Sequence, residues 1–251
     1  MKISSKDFSR YNKQIVLKNI GFNGQKKIFN TKVLIVGVGG LGSPLAIYLA
    51  SMGIGSIGII DHDKIELSNL NRQILYNTSD VGKKKTIQAK KYLKKINKKA
   101  ILKTFQQKVD SSNIKKIAIN YDIICDCSDN FETRYLINNF CFKNKKKLIS
   151  AAISKFETHI FNFDFSKKVP CYQCFMPNLP SNNNACDAEG ILPSVAGIAG
   201  TIQANEVIKS ILFKKNNLEG KLLIFNSLNL SFKLIKLSKD PKCRTCSAKN
   251  Y

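Results

Sequence analysis

The chain has 251 residues, of which 43% are hydrophobic, and a formal net charge of +24 at pH 7. A chain of this length buries roughly 70–75% of its unfolded surface, enough for one large α/β core or a core with a smaller lobe. Its apolar runs are far shorter than the roughly 18–20 residues of a membrane span, and its N-terminus lacks the apolar core of a signal peptide. We therefore expect a cytoplasmic protein without membrane segments.

The positive charge is distributed along the whole sequence. Clustered Lys and Arg side chains would indicate a nucleic-acid-binding protein. Here lysine occurs in predicted helices, turns and tails alike, which favours solvated surface, with steering of an acidic partner or of RNA as the alternative. The arginines are few: Arg10, Arg72, Arg134 and Arg244. Each arginine is therefore a candidate for planar bidentate contacts that lysine cannot make, and nucleic acid is not the expected partner.

The first half of the chain predicts a nucleotide-binding βαβ unit. Its predicted elements are a helical arm (5–30), a buried strand (32–36), a helix (43–52) and a second strand (56–61). The turn between strand and helix contains Gly37, Gly39, Gly40 and Gly42. In this position, backbone N–H groups and the helix dipole face a phosphate, and Asp61 at the end of the second strand can accept hydrogen bonds from a ribose.

The remaining elements extend this unit. They are a lysine-rich helix (81–97), strands at 121–125 and 147–151, a mobile loop (177–190), a helix (197–213), and strands of a second sheet region at 159–165, 222–225 and 232–237. The predicted fold class is α/β: a Rossmann-like, mainly parallel sheet with helices on both faces, continuing into a mixed or antiparallel C-terminal sheet region. Asp129 follows the third strand, so it and Asp61 are expected to face the same crevice.

Two Cys-x-x-Cys pairs predict a structural zinc site, whose ligands are Cys171, Cys174, Cys243 and Cys246. Two intervening residues let two thiolates bind one tetrahedral ion, so the pairs share a zinc ion if the fold brings them together. Disulfides are less expected without a signal segment, and a redox pair usually occurs singly. The cysteines in or beside apolar runs, Cys125, Cys127 and Cys141, are expected in the core.

Ordered motifs continue from the arm to the last cysteine pair. They are residues 10–15 (Arg-Tyr-Asn-Lys-Gln-Ile), the glycine turn, Asp61, residues 68–73 (Ser-Asn-Leu-Asn-Arg-Gln), Lys85 and residues 129–134 (Asp-Asn-Phe-Glu-Thr-Arg). This series resembles the ThiF/MoeB/HesA adenylyltransferases, bacterial relatives of the ubiquitin-activating E1 enzymes. Members use ATP to adenylate the C-terminal Gly-Gly carboxylate of a ubiquitin-like sulfur-carrier protein, and they release pyrophosphate.

The resemblance implies a role for each motif. The glycine turn would hold the nucleotide and Asp61 its ribose. Asn69 and Arg72 would contact ATP, Lys85 a phosphate, and Asp129 the Mg²⁺ ion, so that Arg72, Lys85 and Asp129 carry the catalysis. This agrees with the chemistry, because a carboxylate with an intrinsic pKa of about 3.5 needs no general base, whereas its approach to a polyphosphate needs cations.

Two positions concern the neighbouring subunit and the carrier. Members typically have Arg at the position of Lys13, where it reaches the ATP phosphates of the other subunit, so the resemblance implies a homodimer in which lysine keeps the charge without the fork geometry. Cys186, in the predicted loop, stands where thiamine-pathway members carry a cysteine that can be linked to the carrier. A covalent link and a thiol without catalytic duty both stay open.

The resemblance favours a thiamine-type carrier, with a molybdopterin-type carrier next. Because the sequence ends at Tyr251, we expect a separate sulfur donor, a cysteine desulfurase or rhodanese-type protein. We also expect one adenylation domain over residues 1–251: an arm (1–30), a nucleotide-binding half (31–152), and a carrier-binding and zinc half (153–251). The alternatives are an E1-like tRNA threonylcarbamoyladenosine dehydratase and a non-catalytic zinc-stabilised RNA-binding protein.

Overall fold

The structure is a computed structural model that describes residues 3–178, 190–213 and 217–247. Cys186 lies outside these residues. No helix in the described ranges is long and apolar enough to cross a membrane.

One sheet of eight strands runs through both halves of the chain, in the order β3-β2-β1-β4-β5-β6-β7-β8. The strands are β1 (Lys32–Val36), β2 (Ser56–Ile60), β3 (Ile101–Phe105), β4 (Ile123–Asp126), β5 (Lys147–Ser154), β6 (Glu157–Asp164), β7 (Lys221–Asn226) and β8 (Ser231–Lys236). The pairs from β3 to β5 are parallel, and the pairs from β5 to β8 are antiparallel. The predicted fold class is confirmed, and the predicted second region is a continuation of the same sheet.

Helices cover both faces of the sheet. They are α1 (Ser5–Ile15), α2 (Gly21–Asn30), α3 (Gly42–Met52), α4 (Lys85–Ile96), α5 (Ile114–Ala118), α6 (Phe131–Lys143), α7 (Tyr172–Phe175) and α8 (Pro193–Leu212). The predicted arm is thus two helices. The predicted lysine-rich helix begins at Lys85, because the residues before it pair with the segment that follows β2. The sequence analysis missed β3, α5 and α6.

Two apolar clusters fill the space between the helices and the sheet. One lies under α3, α4 and α8, and the other under α5, α6 and the cysteine pairs. Helix α8 approaches the glycine turn closely, since a Cβ atom on Gly200 would lie 2.3 Å from the carbonyl oxygen of Leu41. The small residues of α8 therefore help to fix the start of α3 at the carboxyl edge of the sheet.

Candidate nucleotide site and candidate zinc centre

A cavity of about 500 Å³ opens where β1, β2 and β4 end. Ligands of open α/β sheets bind at this edge. The cavity wall brings together seven of the predicted site residues: Gly37, Gly39, Gly40, Asp61, Arg72, Lys85 and Asp129. Two other predicted site residues, Gly42 and Asn69, do not belong to the part of the wall that the described residues form.

The glycine turn is braced by Asp61 from the neighbouring strand. Gly37 has φ +87°, and a Cβ atom there would lie 2.8 Å from the carbonyl oxygen of Cys127, so a larger residue would not fit. The buried carboxylate of Asp61 accepts the N–H of Val38 through Oδ2 at 2.9 Å and that of Asp63 through Oδ1 at 2.8 Å. Each oxygen retains a second lone pair, so bracing the turn leaves acceptors for a ribose.

Arg72 and Asn69 belong to the same short segment but face different surroundings. Arg72 lines the cavity beside Gly40, and its Nη1 donates to the carbonyl oxygen of Ser68 at 3.0 Å. Asn69 is buried, and its Oδ1 accepts the N–H of Glu66 at 3.3 Å. Asn69 therefore shapes the turn that presents Arg72, and its predicted contact with ATP stays a prediction.

Burial separates Lys85 from the two lysines before it. The side chain of Lys85 is 7% exposed, lines the cavity, and places Nζ 2.7 Å from Oδ2 of Asp63. Lys83 and Lys84 are exposed, and Lys83 pairs with Asp80 outside the cavity at 3.4 Å. Of the three consecutive lysines, Lys85 is the one positioned to reach a ligand.

Asp129 stands exposed on the cavity wall at the start of α6. Asn130 caps this helix by accepting the N–H of Thr133 at 2.9 Å. Arg134 is buried beneath the turn, where it donates to the carbonyl oxygens of Ser128 and Ala151. One exposed carboxylate on the wall of this cavity fits Mg²⁺, which proteins commonly hold through one or two carboxylates together with substrate phosphates.

The four cysteines of the two pairs meet in one cluster. Their sulfur atoms lie within 4.8 Å of one another, with Sγ–Sγ distances of 3.9 Å for Cys171–Cys174, 3.6 Å for Cys171–Cys243 and 3.3 Å for Cys174–Cys246. A tetrahedron of sulfur atoms about 2.3 Å from its centre has edges of about 3.8 Å. The cluster therefore fits the predicted zinc ion.

The electrostatics of this cluster favour a bound cation. Hydrogen bonds with Cys174 and Cys246, together with burial, raise the pKa of Cys171. Hydrogen bonds with Cys171 and Cys246 lower the pKa of Cys174. A thiolate at one position thus disfavours its neighbours, and a divalent ion is what would allow four thiolates to coexist.

The family model of the ThiF family matches residues 11–245. The chain belongs to the ThiF family. The adenylyltransferase and sulfurtransferase MOCS3 of Culex quinquefasciatus is 40% identical over 249 residues, which cover 98% of this chain and 57% of the relative. The corresponding protein of Caenorhabditis briggsae is 39% identical and covers 97% of this chain and 61% of the relative. The chain therefore spans little more than half the length of these relatives.

A solved structure of E. coli MccB with ATP shares the fold of this ThiF-family chain. The TM-score is 0.80 at 25% sequence identity, and the match covers 98% of this chain and 83% of that one. A further E. coli MccB structure, solved with MccA, has a TM-score of 0.83 at 27% identity, and the match covers 97% of this chain and 75% of that one.

Two buried polar residues that support the cavity wall were missed from the sequence. Asp126 ends β4, and its Oδ2 accepts the hydroxyl of Ser150 at 2.6 Å. Gln203 of α8 is fully buried and donates to the carbonyl oxygen of Asp126 at 3.0 Å. The position of Asp126 at a strand end is a signal that could have been used. The position of Gln203 gives no such signal, because this residue lies in a helix of mainly small and apolar residues.

Two sequence predictions remain outside this geometry. Lys13 is exposed near the end of α1 and is not part of the cavity wall formed by the described residues, so its role across a dimer interface stays a prediction. Cys186 lies outside the described ranges. The two histidines lie in different places. His62 lines the cavity. His159 lies on β6, where burial lowers its pKa.

Proposed function

We propose that this chain adenylates the C-terminal carboxylate of a ubiquitin-like sulfur-carrier protein with ATP. The observation that carries the proposal is the meeting of the glycine turn, Arg72, buried Lys85 and exposed Asp129 around one cavity. Membership of a family whose relatives bear the name adenylyltransferase supports it. MccB, a neighbour of the same fold, was solved with ATP.

The reaction is a displacement at phosphorus that requires no proton transfer. A carboxylate oxygen of the carrier forms a bond to the α-phosphorus of ATP, and the bond from this phosphorus to the β-phosphate oxygen breaks, which releases pyrophosphate. The product is a mixed anhydride of the carrier and AMP. The carboxylate is ionised at neutral pH, so the barrier lies in bringing an anion to a polyanion.

The cationic groups of the cavity address this repulsion. Lys85 and Arg72 would stabilise the charge that develops on the phosphates, because cations already fixed in place need little reorganisation. The N–H groups at the start of α3 would contribute in the same sense. Mg²⁺ held through Asp129 would neutralise part of the polyphosphate charge.

The carrier type follows from the relatives more than from the sequence motifs. The motifs favoured a thiamine-type carrier, whereas the relatives at about 40% identity are MOCS3 proteins. We therefore place a molybdopterin-type carrier first and retain the thiamine-type carrier as the alternative. The single adenylation domain over residues 1–251 is retained as part of the proposal.

ATP–pyrophosphate exchange tests the proposal. The purified chain is incubated with ATP, Mg²⁺, labelled pyrophosphate and one candidate carrier at a time, each also supplied without its terminal glycine. We expect exchange with one intact carrier and none with its truncated form. Exchange that ignores the truncation, or that requires tRNA, would contradict the proposal.

The same assay addresses the predicted homodimer. If Lys13 reaches the phosphates of the neighbouring subunit, Lys13→Ala should lower exchange, and mixing this variant with an Asp129→Ala variant should restore part of it, because one of the two sites then has both residues. Lys13→Arg should retain or raise the rate. Full exchange by Lys13→Ala would remove this residue from the proposal.

Cys186 is tested by separating the two half-reactions. A carrier-linked thiol predicts that Cys186→Ala retains pyrophosphate exchange and loses sulfur transfer to the carrier. Retention of both activities would leave Cys186 without a catalytic duty.

A further inference from the structure

We propose that Asp63 is a positioning residue, which holds the ammonium group of Lys85 in place for the phosphates of ATP. The inference deepens the proposed function and rests on it in one respect, namely that the cavity binds ATP. Under this inference two neighbouring carboxylates have different roles: Asp61 braces the glycine turn, and Asp63 positions Lys85.

The ion pair is asymmetric in its burial. Nζ of Lys85 lies 2.7 Å from Oδ2 of Asp63, and the lysine side chain is 7% exposed whereas the aspartate side chain is 46% exposed. An ammonium group that leaves water needs a compensating partner, while a half-exposed carboxylate does not. Lys85 therefore depends on Asp63 to compensate its buried charge, whereas Asp63 depends little on Lys85.

The backbone fixes both members of the pair. The N–H of Lys85 donates to the carbonyl oxygen of Asp63 at 3.1 Å, and Lys64 forms an antiparallel bridge with Lys84. Two further hydrogen bonds of 2.8 Å join Ile65 to the opposite strand of this small ladder. The segment after β2 and the segment before α4 are thus held side by side.

Asp63 also connects Lys85 to the residue expected at the ribose. Its N–H donates to Oδ1 of Asp61 at 2.8 Å, while its own side chain binds the lysine. The carboxylate that braces the glycine turn and the ammonium group on the cavity wall are consequently parts of one hydrogen-bonded unit. A shift of either would be transmitted through Asp63.

This arrangement prepares Lys85 for a phosphate. An ammonium group has three N–H donors, and Asp63 takes one of them. Within the described part of the chain the other two have no hydrogen-bond partner, so a ligand in the cavity can accept them. Because a free lysine loses rotamer entropy when a ligand fixes it, holding the side chain in advance strengthens phosphate binding.

A metal-binding role for Asp63 fits the geometry less well. Ligand atoms of Asp61, His62 and Asp63 do lie within 4.8 Å of one another. However, Oδ2 of Asp63 already contacts the Lys85 ammonium group, and its Oδ1 lies 3.3 Å from Nε2 of His62. A cation bound there would face the positive charge of Lys85 at close range.

The test compares ATP with adenosine, which lacks phosphates. Asp63→Asn keeps the size of the side chain and removes its charge, so we expect the dissociation constant for ATP to rise roughly tenfold. Adenosine binding, measured by calorimetry on the full chain, should stay unchanged. Asp80→Asn removes the carboxylate that pairs with Lys83 outside the cavity and is the matched control, with ATP affinity as in the wild type.

A double-mutant cycle separates positioning from general damage. If Asp63 acts through Lys85, ATP affinity of Lys85→Met should not fall further on adding Asp63→Asn, and Asp63→Glu should recover part of the loss. Wild-type ATP affinity in Asp63→Asn, an equal loss of adenosine binding, or full recovery at high Mg²⁺ would each overturn the assignment. Failure of the wild-type chain to bind ATP would overturn the proposed function and this inference with it.

Discussion

Arg134 joins the ends of two neighbouring strands beneath the cavity. Its guanidinium group donates to the carbonyl oxygens of Ser128 and Ala151, and Nη1 lies 3.4 Å from Oδ2 of Asp126. Both charged side chains are buried. The planar fork of arginine matches acceptors on several sides, which a lysine ammonium group on a flexible stem does not. The presence of arginine at this position in a lysine-rich chain therefore has a structural reason.

Replacement of Arg134 should therefore be costly. We expect Arg134→Met to lower the free energy of unfolding by about 3 kcal/mol, because it leaves the Asp126 carboxylate buried without its cation. Arg134→Lys should recover only part of this loss. Urea denaturation measures both, with Lys84→Met as the exposed control. A midpoint unchanged by Arg134→Met would contradict the assigned network.

Asp7 gives a pH-dependent prediction. A hydrogen bond from Lys99, followed by one from Ser4, lowers the pKa of Asp7 from 3.8 to about 2. Since the folded-state pKa is the lower one, the stabilisation is complete above the unfolded value and is lost as the pH falls from about 4 towards 2. Asp7→Asn should destabilise the chain by about 1 kcal/mol at pH 7, as loss of a helix cap does. Thermal denaturation should then show a smaller difference between the two proteins at pH 2; equal differences at both pH values would count against this.

At the scale of elements, the cysteine cluster joins the segment after β6 to the end of the described chain. Cys171 directly precedes the short helix α7 and Cys174 lies within it, and Cys243 and Cys246 follow β8. Thr245 adds hydrogen bonds of 2.6 Å to Asn139 of α6 and to Gln173. The cluster thereby fixes the segment after β8 against α6, the helix that begins two residues after Asp129.

We expect about one zinc ion per chain and its loss in Cys171→Ser, because a tetrahedral site with three thiolates binds far more weakly. The variant should unfold at a lower temperature. Elemental analysis and thermal denaturation provide the measurement. Cys141→Ala, which removes a buried thiol outside the cluster, should keep the metal. Zinc retained at the wild-type level in Cys171→Ser would contradict the assignment.

The elements that could be predicted have strong local signals. Buried strands β1, β2 and β4 are apolar runs, and α3 begins at the glycine turn with a proline in its first turn. Strand β3 was missed because it lies at an edge of the sheet and its apolar residues are interrupted by Lys103 and Thr104. Helix α6 was missed because its N-cap, Asn130, belongs to the motif at residues 129–134, which was interpreted as part of the nucleotide site and not as the start of a helix.

At the scale of the whole molecule, the site depends on contacts that sequence motifs do not reveal. The motifs predicted Asp61, Arg72, Lys85 and Asp129, all of which line the cavity. They did not reveal that Lys85 is paired with Asp63, that Asp126 is the carboxylate partner of Arg134 below the Asp129 loop, or that Gln203 reaches this loop from α8. These partners come from separate elements, and only the order of the strands brings them together.

One sheet connects the nucleotide cavity to the zinc half. Strands β4 and β5 pair in parallel beside the cavity, and the sheet continues through β6 and β7 to the edge strand β8. A carrier whose terminal residue enters the cavity would thus be bound by a single continuous framework. Under the proposed function, the AMP group of the product is attached to the carrier itself.

The intact mass of the carrier tests the central claim most directly. A candidate carrier is incubated with the chain, ATP and Mg²⁺, quenched in acid, and analysed by mass spectrometry. We predict a species heavier by one AMP, located at the terminal glycine, which is absent without ATP and absent with Asp129→Ala. A carrier that remains unmodified, with every candidate tested and with zinc-loaded, ATP-binding chain, would contradict the account.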